Sequence, residues 1–340
     1  MIRSIHRCAS FLLFATLLAA PAFAKSTGEL KIYFIDVEGG QSTLVVSPAK
    51  HSVLIDAGFA GPRDAKRIVE ALKAAGVKKI DYLAITHFHG DHAGGVPDLA
   101  KLVKIGTFVD HGPDIEDSAQ AKELYAAYLK AVGHKPHVIA MPGQGLPFKD
   151  IEVQFLATGG AHIENPLPAA GEANFYCASE SEAPADDSEN SQSLALLVTY
   201  GKFRFLDVGD LTEGKSLPLV CPNNLIGKID LYLMSHHGAH PDNPKSLVWA
   251  LHPAVAVMNN GEHKGGNPQA WQIVHDSPGL DGLWQLHYAA DAGRDHNSDE
   301  NLIANTDMKS DGHFISVTVE PDGDWTIKNS RNGYEKTFGN

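Results

Sequence analysis

Cysteine is scarce in this 340-residue chain: Cys8, Cys177 and Cys221 are all it has. Neither of the last two lies in a histidine-rich motif, so a cysteine metal ligand is not expected. Long apolar runs are absent beyond residues 11–20, a stretch too short to cross ~30 Å of hydrocarbon. No membrane span is therefore expected after the N-terminus. Positive charge is also short. Lys and Arg number 28 against 41 Asp and Glu, a formal net charge of −13. A field of that sign repels polyanions and argues against a sequence-independent nucleic-acid binder. Small anionic substrates stay open, because bound dications reverse the local sign.

The N-terminus reads as an export signal. Arg3 and Arg7 precede the apolar core 11–20, and Ala22-Phe23-Ala24 forms an A-x-A cleavage site. Residues 1–24 are expected to be removed, which takes away two basic residues and Cys8. Residues 25–340 then form one hydrolase-sized domain, placed in a Gram-negative periplasm or secreted. An oxidising compartment favours a Cys177–Cys221 bridge over two free thiols.

The densest chemistry is the run T-H-F-H-G-D-H-A-G-G at 86–95. Three imidazoles and a carboxylate at this spacing suit two adjacent divalent metals. The preceding residues 80–85, I-D-Y-L-A-I, read as a buried strand, so the ligands fall in a strand-end loop. His87 and His89 can reach one metal. Asp91 and His92, beyond the turn at Gly90, can reach its neighbour.

Residues 30–37 alternate like a strand, and further strands are expected at 42–47, 52–56, 138–141, 151–156, 193–200, 203–208, 229–234, 254–258, 314–319 and 325–327, with another through Phe108 and Val109. Helical spacing marks 64–75, 96–103, 116–132, 245–251 and 269–275. Residues 159–190, rich in Ala, Pro, Glu and Ser, break the rhythm and read as a long inserted loop, either a lid or a plain insertion. Two echoes link the halves. Ile80-Asp81-Tyr82-Leu83 matches Ile229-Asp230-Leu231-Tyr232, and Phe34-Ile35-Asp36-Val37 matches Phe205-Leu206-Asp207-Val208. They suggest two pseudo-equivalent halves: two sheets face to face, helices outside, metal loops along one edge.

Asp210, just after a strand, can bridge two cations about 3.5–4 Å apart. Asp207 is its competitor. His236 and His237 supply further imidazoles, one or both as ligands. Asp56, at a strand mouth, can fix a histidine tautomer from behind. His111 and Lys264 are candidates for substrate contact.

The order Asp56, T-H-F-H-G-D-H, Asn190-Ser191-Gln192-Ser193-Leu194, Gly209-Asp210-Leu211, Ser235-His236-His237-Gly238 resembles the metallo-β-lactamase superfamily over residues 30–261. Within it, Phe34 to Gln41 and Leu54-Ile55-Asp56-Ala57-Gly58 look most like the ComEC-type competence-protein branch. The resemblance implies an α/β fold of the αββα sandwich type and a dinuclear, usually zinc, hydrolase centre, with manganese as the other metal considered. It implies His87, His89, Asp91, His92, Asp210 and one or both of His236 and His237 as ligands; Asn190 is a further candidate for support behind the ligands or for substrate contact. Asp91 and Asp210 are the residues expected to serve catalysis. The pattern departs from the β-lactamases where they carry a further ligand histidine, since Glu189-Asn190-Ser191 stands there. That departure counts against antibiotic hydrolysis.

The expected activity is hydrolysis of a small-molecule or envelope-derived phosphodiester, or a similarly activated ester, by a water acidified between two metals. The alternatives are a lactone, thioester or lactam hydrolase of the same fold, or a binding protein without catalysis.

Overall fold

A computed structural model describes residues 28–179, 186–307 and 310–339. The expected signal at 1–24 lies outside them. Among the described residues no helix is long and apolar enough to cross a membrane.

The first half contributes β1 (Leu30–Phe34), β2 (Thr43–Val46), β3 (Ser52–Ile55), β4 (Lys79–Ala84), β5 (Lys104–Asp110) and β6 (His137–Ile139). The second contributes β7 (Glu152–Thr158), β8 (Ala161–His162), β9 (Ala195–Tyr200), β10 (Phe203–Asp207), β11 (Leu231–Leu233), β12 (Val255–Met258), β13 (Leu283–His287) and β14 (Ile303–Asn305). The last three strands, β15 (Ile315–Val319), β16 (Trp325–Asn329) and β17 (Glu335–Phe338), return to β1. Among the described residues they extend the first sheet to nine strands, and the second has eight.

Burial explains the layers. Phe34, Val53, Ile55 and Ala84 face Phe205, Leu231 and Val257 in a core between the sheets. Leu54, Ile80 and Leu83 point the other way, against α1 (Pro62–Ala75), α2 (Val96–Leu102) and α3 (Ala119–Val132). Leu206, Tyr232 and Met258 similarly meet α5 (Lys245–Leu251) and α6 (Pro268–His275), which follow the short α4 (Glu213–Ser216). Strands covered on both faces read as continuous apolar runs rather than alternating ones. The result is the αββα sandwich.

The two halves match in strand direction. β1, β2 and β3 pair antiparallel, and β3, β4, β5 and β6 then run parallel. β7, β9 and β10 pair antiparallel, and β10 to β14 run parallel. β11 is thus the counterpart of β4, as the first echo implied. The second echo is displaced. β10 corresponds to β3, not β1, so the partner of Asp207 is Asp56 rather than Asp36. Short apolar strands ending in Asp are alike enough that sequence similarity paired the wrong two.

Other departures are local. The helix expected from residue 116 starts at Ala119, because the Ser118 side chain accepts from the Ala121 amide and caps it. β13, β14 and β17 were not anticipated. In β13, L-W-Q-L-H, the polar Gln285 and His287 obscure a strand that is buried throughout. Gln285 Nε2 donates to Asn297 Oδ1 (2.9 Å), and His287 Nε2 lies 2.6 Å from Asp36 Oδ1, so neither is left unpaired.

The 159–190 loop is fastened along its middle. Cys177 and Cys221 form a disulfide. The Asn174 amide donates to Val220 O and Ser246 O, and the Tyr176 ring meets Trp249 of α5 edge-on. The bridge closes a sequence separation of 44, worth about 4 kcal/mol on the chain-entropy account. Cys221→Ser is expected to lower unfolding stability by up to that amount under oxidising conditions. Denaturant titration with and without reductant checks it: the gap between variant and parent must close once both are reduced.

Candidate metal centre

The H-x-H-x-D-H loop begins where β4 ends, and Asp56 anchors it. Asp56, at φ 61°, directs its carboxylate back under the loop. It accepts from the Thr86 amide and the Thr86 hydroxyl, both at 2.7 Å. Asp residues tolerate this left-handed backbone better than most. Its Oδ2 is also 2.7 Å from His92 Nδ1. A carboxylate there accepts the Nδ1 proton, so Nε2 is the nitrogen turned toward the rest of the centre.

That nitrogen faces two carboxylates and a second imidazole. His92 Nε2 lies 3.2 Å from Asp210 Oδ2, 3.5 Å from Asp91 Oδ2 and 3.3 Å from His237 Nε2. His237 Nε2 is in turn 3.1 Å from Asp91 Oδ2 and 3.4 Å from Asp210 Oδ2. The ligand atoms of Asp91, His92, Asp210 and His237 all fall within 4.8 Å of one another.

A second group approaches the same Asp210 oxygen. His87 Nε2 is 3.9 Å from it and His236 Nε2 3.6 Å. His89 Nδ1 is 3.0 Å from His87 Nε2. The far nitrogens are held as well: His89 Nε2 by Glu116 (3.2 Å), His236 Nδ1 by Asp242 (2.6 Å), and His87 Nδ1 beside Thr86 Oγ1 (3.1 Å) and Ser193 Oγ (3.3 Å). His89 and His236 are about a third exposed, whereas His87 and His92 are fully buried. The open side of the centre is therefore the side of His89 and His236.

Both histidines of the S-H-H-G turn reach Asp210 because the turn is unusually tight. His236, His237 and Gly238 have φ values of 51°, 54° and 78°. A Cβ at Gly238 would lie 2.4 Å from Met258 Sδ, so this position needs glycine.

Electrostatics follow from burial and pairing. Burial opposes charge on Asp91 and Asp210, but His92 and His237 outweigh it and hold both carboxyls well below their ordinary range. Burial likewise opposes a proton on His92, and Asp210, Asp91 and Asp56 more than offset it. Burial and the neighbouring His92 keep His87 deprotonated. Asp207 differs: burial, reinforced by Asp56, pushes it up to about 7. It accepts from Gln41 Nε2 and the Gly209 amide.

Imidazole nitrogens that face one another and two carboxylates make a poor hydrogen-bonding set, because too many acceptors converge. Asp210 Oδ1 is buried with no hydrogen-bond partner. Nitrogen and oxygen donors of this kind, converging from two sides of one carboxylate, fit a pair of divalent cations.

The remaining expected residues lie around this centre. Lys264 reaches over the Phe59 ring and its ammonium contacts Asp91 Oδ2. His111 is buried, with Nε2 2.7 Å from Glu189 Oε1. Asn190 opens the turn Asn190–Gln192, which delivers Ser193 to His87. Sequence reading missed Glu116, Asp242 and Glu189. Asp242 lies five residues beyond the second histidine of the turn, but no spacing rule singles it out.

The family profile described as "Metallo-beta-lactamase superfamily" matches residues 35–181. ComE operon protein 3 of Bacillus subtilis (strain 168) is 26% identical over 254 residues, covering 70% of this chain and 29% of that protein. Recombination protein 2 of Haemophilus influenzae is 24% identical over 279 residues, covering 81% and 29%. An atrochrysone carboxyl ACP thioesterase of Aspergillus fumigatus is 35% identical over 79 residues, 23% of this chain and 16% of that one. The chain thus spans under a third of the length of each of these relatives.

Proposed function

We propose that the metallo-β-lactamase superfamily domain carried by this chain is an exported dinuclear-metal hydrolase acting on a phosphodiester or a similarly activated ester. The observation that carries the reading is the convergence of four imidazoles on one buried oxygen, Asp210 Oδ2. His87, His89 and His236 would hold one cation, Asp91, His92 and His237 the other, and Asp210 both. Bound dications supply Lewis acidity and a water whose pKa is brought toward neutrality. His236 then takes the role of the histidine that the Glu189-Asn190-Ser191 stretch lacks.

The chain's own groups supply orientation. Asp56, Glu116 and Asp242 fix the tautomers and ring planes of His92, His89 and His236. The Asp91 carboxylate lies beside His92 and His237 and can accept a hydrogen bond from a water or hydroxyl there. The net negative charge of −13 favours a small substrate over a polyanion. Local similarity to a thioesterase supports a second reading, a thioester substrate on the same centre.

The test is metal analysis of protein purified without chelator, followed by a panel of bis-aryl phosphates, thioesters, lactones and a chromogenic cephalosporin. About two equivalents of zinc or manganese and turnover of a phosphodiester are expected. Metal content near zero that added Zn²⁺ or Mn²⁺ does not restore would sink the enzyme reading. Turnover of thioesters alone would select the second.

Lys264→Ala is expected to preserve metal content and raise KM with little change in kcat, because a charge contact kept through the reaction contributes uniform binding. Steady-state kinetics and metal analysis of one preparation check it. Loss of a cation would instead make the Lys264 loop a support of the centre.

A further inference from the structure

Glu189 stands outside the set of groups that face Asp210, yet its carboxylate is completely buried. Its partners, with the Asp114 carboxyl beside it, belong to the wall next to His89. Oε1 accepts from the Phe88 amide at 2.9 Å and lies 2.7 Å from His111 Nε2. Oε2 accepts from the Ile115 amide at 3.2 Å. Phe88 is the residue between His87 and His89. Ile115 directly precedes Glu116, whose carboxylate meets His89 Nε2. One side chain therefore fixes the backbone on both approaches to His89. The Phe88 ring extends the anchor, packing against His111, Tyr125 and Tyr128 at 4.7–5.0 Å between centroids. The other cluster, Asp91, His92 and His237, has no hydrogen bond to Glu189 and rests on Asp56 instead.

We propose that Glu189 is a positioning residue for His89, so that the cation held by His87, His89 and His236 depends on the return limb of the 159–190 loop. The inference rests on the two-metal reading given above. Burial opposes charge on Glu189, but His111 and the Phe88 and Ile115 amides outweigh it and hold the carboxyl below its usual value. The carboxylate is thus kept ionised, as an acceptor for three donors must be. Glu189 lies twelve residues after Cys177 in sequence, and Cys177 is bridged to Cys221.

The experiment compares Glu189→Ala, Glu189→Gln and Glu189→Asp with the parent and with His89→Ala. Stepwise Zn²⁺ affinities are measured by chelator competition. The alanine variant is expected to keep one equivalent at parental affinity and to bind the other on the order of 10–100-fold more weakly, matching His89→Ala in which equivalent is affected. Glutamine keeps one accepting oxygen and should fall between, and aspartate should recover part of the loss. Both equivalents bound as in the parent, or both weakened in parallel, would overturn the proposal.

Amide hydrogen exchange in the metal-free proteins gives a reading that needs no cation. Protection at Phe88 and Ile115 should fall while protection at Thr86, held by Asp56, persists. Unchanged protection in the glutamine variant also overturns the proposal, even if the alanine variant fails to fold. A parent that binds no Zn²⁺, yet loses protection at Phe88 and Ile115 when Glu189 is changed, would sink the metal reading and leave the positioning of His89 standing.

Discussion

Asp210→Ala is expected to abolish hydrolysis and to release at least one cation. Its Oδ2 is the atom on which His87, His92, His236 and His237 converge, at 3.2–3.9 Å. Removing it takes away the group shared by the two sets and leaves four imidazoles around a void. The loss should exceed the roughly 10–100-fold that follows when a hydrogen-bonding partner behind a ligand is removed. Asp207→Asn is the control. That side chain turns to Gln41 and the Gly209 amide, and burial holds it near a pKa of about 7. Neutralising it should leave metal content unchanged. Metal content and kcat/KM on the best substrate decide the matter. Near-native turnover with both cations retained in Asp210→Ala would refute the bridging role and make Asp207 the residue to examine next.

The second large effect is expected from Asp56. Its carboxylate serves the Thr86 amide, the Thr86 hydroxyl and His92 Nδ1, each at 2.7 Å, and it is fully buried. Asp56→Ala removes all three and should cost roughly 3 kcal/mol or more of stability, as breaking a buried charged network does. Asp56→Asn is more informative. Its amide can accept from Thr86 but presents an N–H to His92 Nδ1. The His92 proton must then move to Nε2, the nitrogen that faces Asp210. Cation affinity should fall on the order of 10–100-fold while unfolding stability drops less than in the alanine variant. Parental affinity in the asparagine variant would show that tautomer control is not what Asp56 does.

Much of this was legible in the sequence because the signals were local. The T-H-F-H-G-D-H run puts ligand-type residues in a loop after a strand, and the loop is there. Asp210 and the His236-His237 pair likewise follow predicted strands. What escaped the sequence was long-range. Glu189 and Glu116 act on residues 101 and 27 positions away; Asp242 is only 6 from His236, but a single carboxylate carries no spacing signal. The function of His111 could not be read either, since only its burial against Glu189 shows where its ring is engaged. β13 was hidden by Gln285 and His287, whose partners lie in other segments. The displaced echo has the same origin. Which strand of one half answers which of the other is decided by hydrogen-bonded neighbours, and similar pentapeptides do not encode that.

The division of the centre between halves bears on how the protein is made. A ribosome releases the H-x-H-x-D-H loop first, and domains tend to form from the N-terminus as the chain emerges. At that stage His87, His89, Asp91 and His92 are all present, but Asp210, His236 and His237 have not been synthesised. The early half offers a cation an incomplete grip. On the two-metal reading, full affinity would arrive when the second sheet docks and closes contacts more than 140 residues apart in sequence, such as His92 with His237, which are slow to form on loop-closure grounds. Metal capture would then be a late event of biogenesis, and free energy released there would count toward the folded state. On that reading, cation retention would be a sensitive gauge of whether the two sheets have met.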